Sequence, residues 1–427
     1  MPDGGRGTAP RACRPHRRRP GRGEAAVTAA RVQLRVSPSP ALRPAGSAGL
    51  PTAKLFAAAP SAVLGAPRRP SLAEAGVQPT ASSCFGPRGA ALLADGSLIV
   101  ADTGHHRLLG WRQMPGEDLA PADWLYGQVD FDREGRNAKG DTGADTLNVP
   151  TGVCAAGNGF AVADAWNHRV LVWDRAPAAG SPPDRVFGQP DFRASEANGG
   201  RSAVTTAASL HWPYGVHVHE RRLFVADSEN RRVLVWDDYR AASGTPASTV
   251  LGQPDFESRN ENAGRGPDAG SMRWPHGIAV WCGRLCVADA GNNRIMVWDG
   301  IPDENGAPCD WVLGQKNDRD VDHNQSLYWP RASTLNMPYG IAACGDWLLV
   351  ADTANSRLLG WHRDDLDTGA PARALLGQRS FEEKGDNRWQ MPAADSFCWP
   401  YGLASRGREL AVADSGNNRV SLWTIEP

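Results

Sequence analysis

Short apolar runs alternate with polar or glycine-rich turns along most of the chain. In one copy, Phe224-Val-Ala-Asp227 ends in an aspartate, and after a polar turn Arg232-Val-Leu-Val-Trp236 begins with an arginine. Runs this short and this rich in Val, Leu, Ile and Trp are typical of β-strands rather than helices. The pattern therefore predicts antiparallel strand pairs joined by tight polar turns.

This strand pair recurs six times. The aspartates are Asp102, Asp164, Asp227, Asp289, Asp352 and Asp414, spaced 62 or 63 residues apart, and the arginines are Arg107, Arg169, Arg232, Arg294, Arg357 and Arg419. Each copy follows a Pro-x-Gly, and most precede a Gly-Gln, so one unit holds four apolar runs. A four-stranded unit repeated at a fixed period is a propeller blade. We predict an all-β, six-bladed β-propeller of four-stranded antiparallel blades.

The last unit is one strand short, because the chain ends soon after Trp423. The missing strand has a counterpart at the other end of the chain, where residues 63–67 (Val-Leu-Gly-Ala-Pro) match residues 250–254 (Val-Leu-Gly-Gln-Pro). We expect this N-terminal strand, about 60–67, to complete the last blade and close the ring, which removes free sheet edges. We expect the propeller to span 60–427, with its six repeats at about 85–427, and residues 1–59 to form a disordered basic tail. The alternative for this tail is an arm that binds nucleic acid or a membrane surface.

The repeated charged and aromatic residues are predicted to be structural. One active site does not need six identical copies of an Asp–Arg set, and the two side chains lie close enough across the turn to pair. The tryptophan that ends each third strand is expected to pack between neighbouring blades and to donate its indole N–H at the rim.

The middle residue of each Pro-x-Gly is expected to face the mouth of the central channel, where the copies differ. These positions are Arg88, Thr151, Tyr214, His276, Tyr339 and Tyr401, and three of the residues just before the proline are Trp212, Trp274 and Trp399. A constant scaffold with a varied mouth is typical of a ligand-binding or partner-binding face. The alternative is that these aromatic residues only cap the channel against water.

The turn sequence resembles the NHL-repeat family. Its signature is visible as Asp289-Ala-Gly-Asn292-Asn293-Arg294-Ile295, whereas the first copy carries His105 in place of the asparagine. The resemblance covers residues 60–427 and implies a propeller fold. A WD40 propeller is disfavoured, because its period is about 40–45 residues and its Gly-His signal is absent.

Charge divides the chain into two unlike parts. Residues 1–70 hold 13 Lys/Arg and 2 Asp/Glu, a net charge of +11, whereas residues 71–427 hold 33 and 45, a net charge of −12. The acidic body disfavours nucleic acid as a partner. No apolar run approaches the about 18 residues of a membrane helix, so no transmembrane segment is expected. The basic segment lacks a clear signal peptide, which favours the cytoplasm.

Eight cysteines are scattered without a Cys-x-x-Cys or a paired metal-ligand spacing. Cys282 and Cys286 flank a predicted hairpin turn and could meet across the strands. We favour reduced thiols, which fits a cytoplasmic protein.

Candidate chemistry outside the repeat is sparse. Peptidylglycine amidating lyases are similar propellers that hold zinc through histidines near the channel. Only His276 of this chain matches such a position. A lone histidine does not make the three-ligand site of a catalytic zinc. The spacing of Asp318, Asp320 and Asp322 matches the first three ligands of a calcium-binding loop. The later ligands of such a loop are missing, so these residues are a weak calcium candidate. No cofactor is predicted, with calcium and zinc left open.

We therefore predict a monomeric, non-enzymatic binding or scaffold propeller that uses its loop-rich mouth to bind a protein or a small-molecule ligand. Two alternatives stay open: a metal-assisted lyase or hydrolase at the channel mouth, and a binder of single-stranded RNA.

Overall fold

A computed structural model describes residues 52–68, 77–176, 181–200 and 204–426. Within these ranges the strands form six four-stranded sheets with antiparallel pairing. Each sheet is one blade, which confirms the predicted six-bladed β-propeller.

The strands follow the repeat. Strand β1 (Ala62–Leu64) is followed by β2 (Gly89–Leu92), β3 (Leu98–Asp102), β4 (Arg107–Trp111) and β5 (Trp124–Tyr126) in blade 1, and by β6 (Pro150–Ala156), β7 (Gly159–Asp164), β8 (Arg169–Trp173) and β9 (Arg185–Phe187) in blade 2. Blade 3 contains β10 (Pro213–His219), β11 (Arg222–Asp227), β12 (Arg232–Trp236) and β13 (Thr249–Leu251), and blade 4 contains β14 (Pro275–Trp281), β15 (Arg284–Asp289), β16 (Arg294–Trp298) and β17 (Trp311–Leu313). Blade 5 contains β18 (Pro338–Cys344), β19 (Trp347–Asp352), β20 (Arg357–His362) and β21 (Ala374–Leu376), and blade 6 contains β22 (Pro400–Arg406), β23 (Glu409–Asp414) and β24 (Arg419–Thr424).

Helical structure in the described ranges is limited to single 3-10 turns. Six of them connect the second and third strands, at Thr103–His105, Ala165–Asn167, Ser228–Asn230, Ala290–Asn292, Thr353–Asn355 and Ser415–Asn417. The others lie in loops, at Arg136–Lys139, Ala197–Gly200, Glu261–Gly264, His323–Ser326, Arg363–Asp365 and Asp386–Trp389. None of the helices in this part of the chain is long and apolar enough to cross a membrane.

Three connections meet at one end of every blade, here called the mouth face. In blade 3 the inner strand β10 begins at Pro213, opposite Asp227, and Asp227 pairs in turn with Arg232. The outer strand β13 ends at Leu251, opposite Val233, so the long loop to the next blade also leaves from this end. The Pro-x-Gly, the Asp–Arg turn and the inter-blade loop therefore share one face.

Strand β1 completes the last blade, as predicted. Ala62 lies opposite Leu422 and Leu64 opposite Val420 of β24, and the β1 side chains are fully buried. Because β1 pairs with the free edge of β24, the first and last parts of the chain close the ring together.

Contacts with the propeller begin before residue 60, where the folded unit was predicted to start. The Ala53 N–H donates to the Arg373 carbonyl at 2.7 Å, Phe56 pairs with Ile425, and Leu55 is only 3% exposed. The Leu55 side chain, seven residues before the closing strand, thus packs against blade 5 residues such as Leu349 and Leu358. Residues 1–51, most of the predicted tail, lie outside the described residues.

The core is built between blades, and the repeated tryptophans are part of it. Trp173 packs in one cluster with Ala91, Ile99 and Tyr126 of blade 1. The indole N–H of Trp173 donates to the Ser181 carbonyl at 2.9 Å. Five of these six indoles donate to a backbone carbonyl and the sixth, Trp423, donates to a serine hydroxyl. The predicted role of these residues is confirmed.

The seven described cysteines are free thiols, and Cys13 lies outside the described residues. Cys282 is exposed and contacts the Gly345 carbonyl, whereas Cys286 is buried and contacts the Arg284 carbonyl. The two sulfurs therefore have different neighbours.

Candidate functional site

The turn that carries the repeated charges is a closed network. In blade 3, one oxygen of Asp227 accepts from Arg232 Nε at 2.8 Å and from Asn230 Nδ2 at 2.7 Å. The other oxygen accepts from the His211 backbone N–H at 2.7 Å, and Arg232 Nη2 donates to the Ser209 carbonyl at 3.0 Å. All six Asp–Arg pairs are buried and lie 2.7–2.9 Å apart. Their polar atoms hold loops in place and point to no ligand.

A second contact joins five of the six blades to the next, and sequence reasoning missed it. The last turn residue before the arginine is left-handed in all six blades. Its side chain accepts from the backbone N–H just before the next proline except in blade 3, where Arg231 donates to the Glu229 carbonyl instead. His168 Nδ1 thus accepts from Trp212 at 3.1 Å, and Asn293 Oδ1 accepts from Met337 at 2.8 Å. Burial, with a smaller contribution from His211, lowers the pKa of His168 to about 4, so its ring is a neutral acceptor. These contacts fix the residues at the rim of the channel.

Five of the six predicted mouth residues pack together around the channel axis. The rings of Tyr214 and His276 stack with centroids 5.0 Å apart, those of His276 and Tyr339 at 4.3 Å, and those of Tyr339 and Tyr401 at 4.4 Å. The guanidinium of Arg88 lies 4.9 Å from the Tyr401 ring. We call these five residues the mouth stack. It brings together side chains from five blades.

Thr151, the sixth predicted mouth residue, does not reach the stack. Its side chain is fully buried, and its hydroxyl donates to the Tyr214 carbonyl at 3.0 Å. The short side chain is therefore held against the backbone of the neighbouring blade.

The mouth stack closes one end of a cavity of about 290 Å³ that follows the channel. The inner strands supply the wall, whose apolar side chains include Leu92, Val216, Ile278 and Ile341. His217 and His219 of β10 also line it, further from the mouth. The cavity thus has polar groups at the mouth and a mixed wall along the channel, with apolar side chains beside the histidines.

His276 carries an unused hydrogen-bond acceptor. The residue is 2% exposed, and its Nδ1 donates to the Trp274 carbonyl at 3.1 Å. Burial lowers the pKa of His276 to about 3, so the ring is neutral and its Nε2 is an acceptor. No described residue satisfies that Nε2.

The other polar groups of the mouth stack are donors. Burial raises the pKa of Tyr339 to about 12 and raises that of Tyr401 further, so both phenols stay protonated. Arg88 opposes both shifts, which places its positive charge near these hydroxyls. Within the described ranges, no carboxylate forms an ion pair with Arg88. The mouth is therefore locally electropositive.

The three predicted rim tryptophans have different surroundings. Trp274 packs edge-on against His276, with centroids 4.9 Å apart, and so backs the mouth stack. Trp212 stacks on Trp166 at 6.1 Å. Trp399 is 43% exposed and is available to a partner.

An exposed aromatic patch on two neighbouring inter-blade loops was not found from the sequence. Tyr328 is 57% exposed and Trp389 is 68% exposed, and the Lys384 ammonium lies 4.1 Å from the Tyr328 ring. Met391, 55% exposed, follows in the same loop as Trp389. We call Tyr328, Lys384, Trp389 and Met391 the loop patch. The available signal was the occurrence of large apolar residues inside otherwise polar loops.

The calcium candidates do not converge on one point. Asp318 accepts from the Ala269 backbone N–H at 3.1 Å, Asp320 accepts from Asn317, and Asp322 accepts from the Ser326 hydroxyl. Across the described residues, no group of three or more His, Cys, Asp or Glu side chains is placed to hold a metal ion.

Comparison with known proteins identifies the repeat. The NHL repeat family model matches residues 86–111, 147–173 and 272–298. No curated protein matches the sequence significantly.

Solved structures resemble the chain distantly. A protein of unknown function from Bacteroides thetaiotaomicron is 12% identical, with 82% of this chain and 73% of that chain covered and a TM-score of 0.45. A streptogramin B lyase is 9% identical (80% and 94% covered, TM-score 0.43), and virginiamycin B lyase from Staphylococcus aureus is 10% identical (82% and 98% covered, TM-score 0.41).

Proposed function

We propose that this six-bladed β-propeller, which contains NHL repeats, is a non-enzymatic binding protein that docks a partner protein on its mouth face. The observation that carries this proposal is the contrast on that face between six buried Asp–Arg pairs and exposed loop side chains that differ from blade to blade.

The exposed aromatic side chains support a protein partner. Trp389, Tyr328 and Trp399 are 68%, 57% and 43% exposed, and Met391 is 55% exposed. Aromatic residues and methionine are enriched at protein interfaces. Aromatic rings bury a large rigid surface at little entropic cost, and methionine adapts its shape to a partner. The net charge of −12 over residues 71–427 is unfavourable for a phosphate backbone.

The test is site-specific photocrosslinking in the source cells. A photoreactive residue at position 389 or 399 should give a defined crosslinked partner. The same residue at position 221, in the turn between β10 and β11 at the opposite end of the blade, is the control. With the purified partner, Trp389→Ser combined with Trp399→Ser should weaken binding by about 10-fold or more without changing the melting temperature. Equal crosslinking from both faces would contradict the proposal.

The metal-assisted alternative has its own measurement. If purified protein retained one equivalent of tightly bound zinc after dialysis, a channel-mouth enzyme would replace the binding protein as the better proposal. We expect no such equivalent, because the ring neighbours of His276 are Tyr214, Tyr339, Tyr401 and Trp274 rather than metal ligands.

A further inference from the structure

We infer that the central channel binds a small hydroxycarboxylate with an apolar tail, its carboxylate and hydroxyl at the mouth stack and its tail along the inner strands. This ligand site lies inside the ring and does not depend on protein docking at the loop patch.

Arg88 supplies the recognition of the carboxylate. Its guanidinium is partly buried beside the Tyr401 ring, and within the described part of the chain its N–H groups have no protein acceptor. A guanidinium can bind a carboxylate through two parallel hydrogen bonds. The phenols of Tyr339 and Tyr401 are protonated and add neutral donors next to the same charge. An anion is therefore the ligand that these groups favour.

His276 supplies the recognition of the hydroxyl. Its Nε2 faces no donor among the described residues, although the ring is 98% buried and lines the cavity. A buried acceptor without a partner destabilises the empty site, and a ligand donor would satisfy it. An ammonium group is disfavoured here by the nearby charge of Arg88, so a neutral hydroxyl is the better donor.

The wall of the cavity supplies the recognition of the tail. Below the mouth stack the inner strands present Leu92, Val216, Ile278 and Ile341, each 5–7% exposed. Burying the methylenes of a ligand tail against these side chains favours binding. The cavity of about 290 Å³ is near the lower end for ligand sites, so the ligand is small.

Isothermal titration calorimetry of the full chain at neutral pH tests the inference with four acids. We expect 2-hydroxyhexanoate to bind about 10-fold more tightly than hexanoate or 2-methoxyhexanoate, which have no hydroxyl donor, and than glycolate, which has no tail. Equal affinity for 2-hydroxyhexanoate and 2-methoxyhexanoate would overturn the assignment of His276, and no binding of any acid would overturn the site.

Two variants assign the residues. Arg88→Gln should weaken the binding of 2-hydroxyhexanoate and of hexanoate alike by about 10-fold or more. Arg136→Gln is its matched control, because Arg136 is also an arginine over an aromatic ring on the mouth-face loops but does not line the cavity. His276→Phe should keep the ring packing and abolish the preference for the hydroxy acid. Unchanged affinity in Arg88→Gln would contradict the inference, whatever the outcome of protein docking.

Discussion

At the scale of single residues, a charge pair is tolerated in the core because every polar atom in it is used. Arg294 donates through Nε to Asp289 at 2.9 Å and through Nη2 to the carbonyls of Asp268 and Ser271 at 3.1 and 2.7 Å. Asp289 accepts in addition from Asn292 at 2.7 Å. Desolvation of the two charges is offset by these contacts, and removing one partner leaves the other charge buried alone.

Asp227→Asn should therefore lower the free energy of unfolding by about 3–5 kcal/mol, because it leaves the Arg232 charge uncompensated in the core. Urea denaturation of both proteins measures the difference. The control is Asp238→Asn, which removes the partner of Arg221, a side chain that is 72% exposed. That change should cost less than about 1 kcal/mol. If both variants lost a similar free energy of unfolding, the buried pair would contribute no more to stability than the exposed one.

His105, the departure from the repeat in blade 1, introduces pH dependence. Its Nδ1 lies 2.7 Å from Asp102 and its Nε2 2.9 Å from the Val77 carbonyl. Burial disfavours the charged ring, but the hydrogen bond and charge of Asp102 outweigh it and raise the pKa of His105 above 6.5. A raised folded-state pKa gives stability that is complete below pH 6.5 and is lost as the pH rises through the folded-state value.

The variant His105→Asn isolates this effect, because asparagine occupies the same position in the other blades. The melting temperature of the wild-type protein should fall, compared with that of the variant, as the pH rises from about 5.5 to about 8.5. Histidines with lowered pKa values, such as His168 and His276, act in the opposite direction but are common to both proteins. A difference that is constant with pH would refute the assignment.

At the scale of elements, the fold depends strongly on the short strand that closes the ring. Strand β1 has only three residues, yet all are fully buried and cover the free edge of β24. Leu55 and Phe56 extend this contact toward blade 5 and Ile425. A free edge of β24 would offer unpaired backbone groups to other chains.

Deletion of residues 1–66 should cause aggregation or a loss of several kcal/mol of stability, because both the edge and the core beneath it become exposed. Light scattering and thermal melting measure these outcomes. Deletion of residues 1–51 is the control, since it leaves the closing strand in place. If the two truncated proteins melted alike, ring closure by β1 would not be needed for stability.

At the scale of the whole molecule, the distribution of charge separates the propeller from the N-terminal segment. The net charge is +11 over residues 1–70 and −12 over residues 71–427. The near-neutral total conceals this division. Electrostatic attraction to a phosphate backbone is therefore expected from the first segment and not from the propeller.

Filter binding with oligouridylate tests this at the same scale. A protein that begins at residue 52 should retain no RNA, whereas any retention by the full chain should fall steeply as salt rises. Salt-sensitive binding by the shorter protein would instead favour the single-stranded RNA alternative, with exposed aromatic residues such as Trp399 as stacking surfaces.

The sequence by itself determined the number of blades, the position of each strand and the closing strand. It could do so because blade geometry is local and repeats. Each Asp–Arg turn and each Pro-x-Gly marks the same structural position in every blade, so a strand assigned wrongly in one copy would disagree with the other five. The same regularity pointed to five residues that meet at the channel mouth, whereas the sixth, Thr151, is buried against the neighbouring blade.

Only the tertiary structure decided how the mouth residues combine. Closing the ring brings Arg88 of blade 1 beside Tyr401 of blade 6, and it places His276 between Tyr214 and Tyr339 with one nitrogen unpaired. These contacts join residues far apart in the sequence and depend on side-chain length and orientation, which no repeat pattern encodes. The loop patch also arises between two separate loops, and so only the folded chain reveals it.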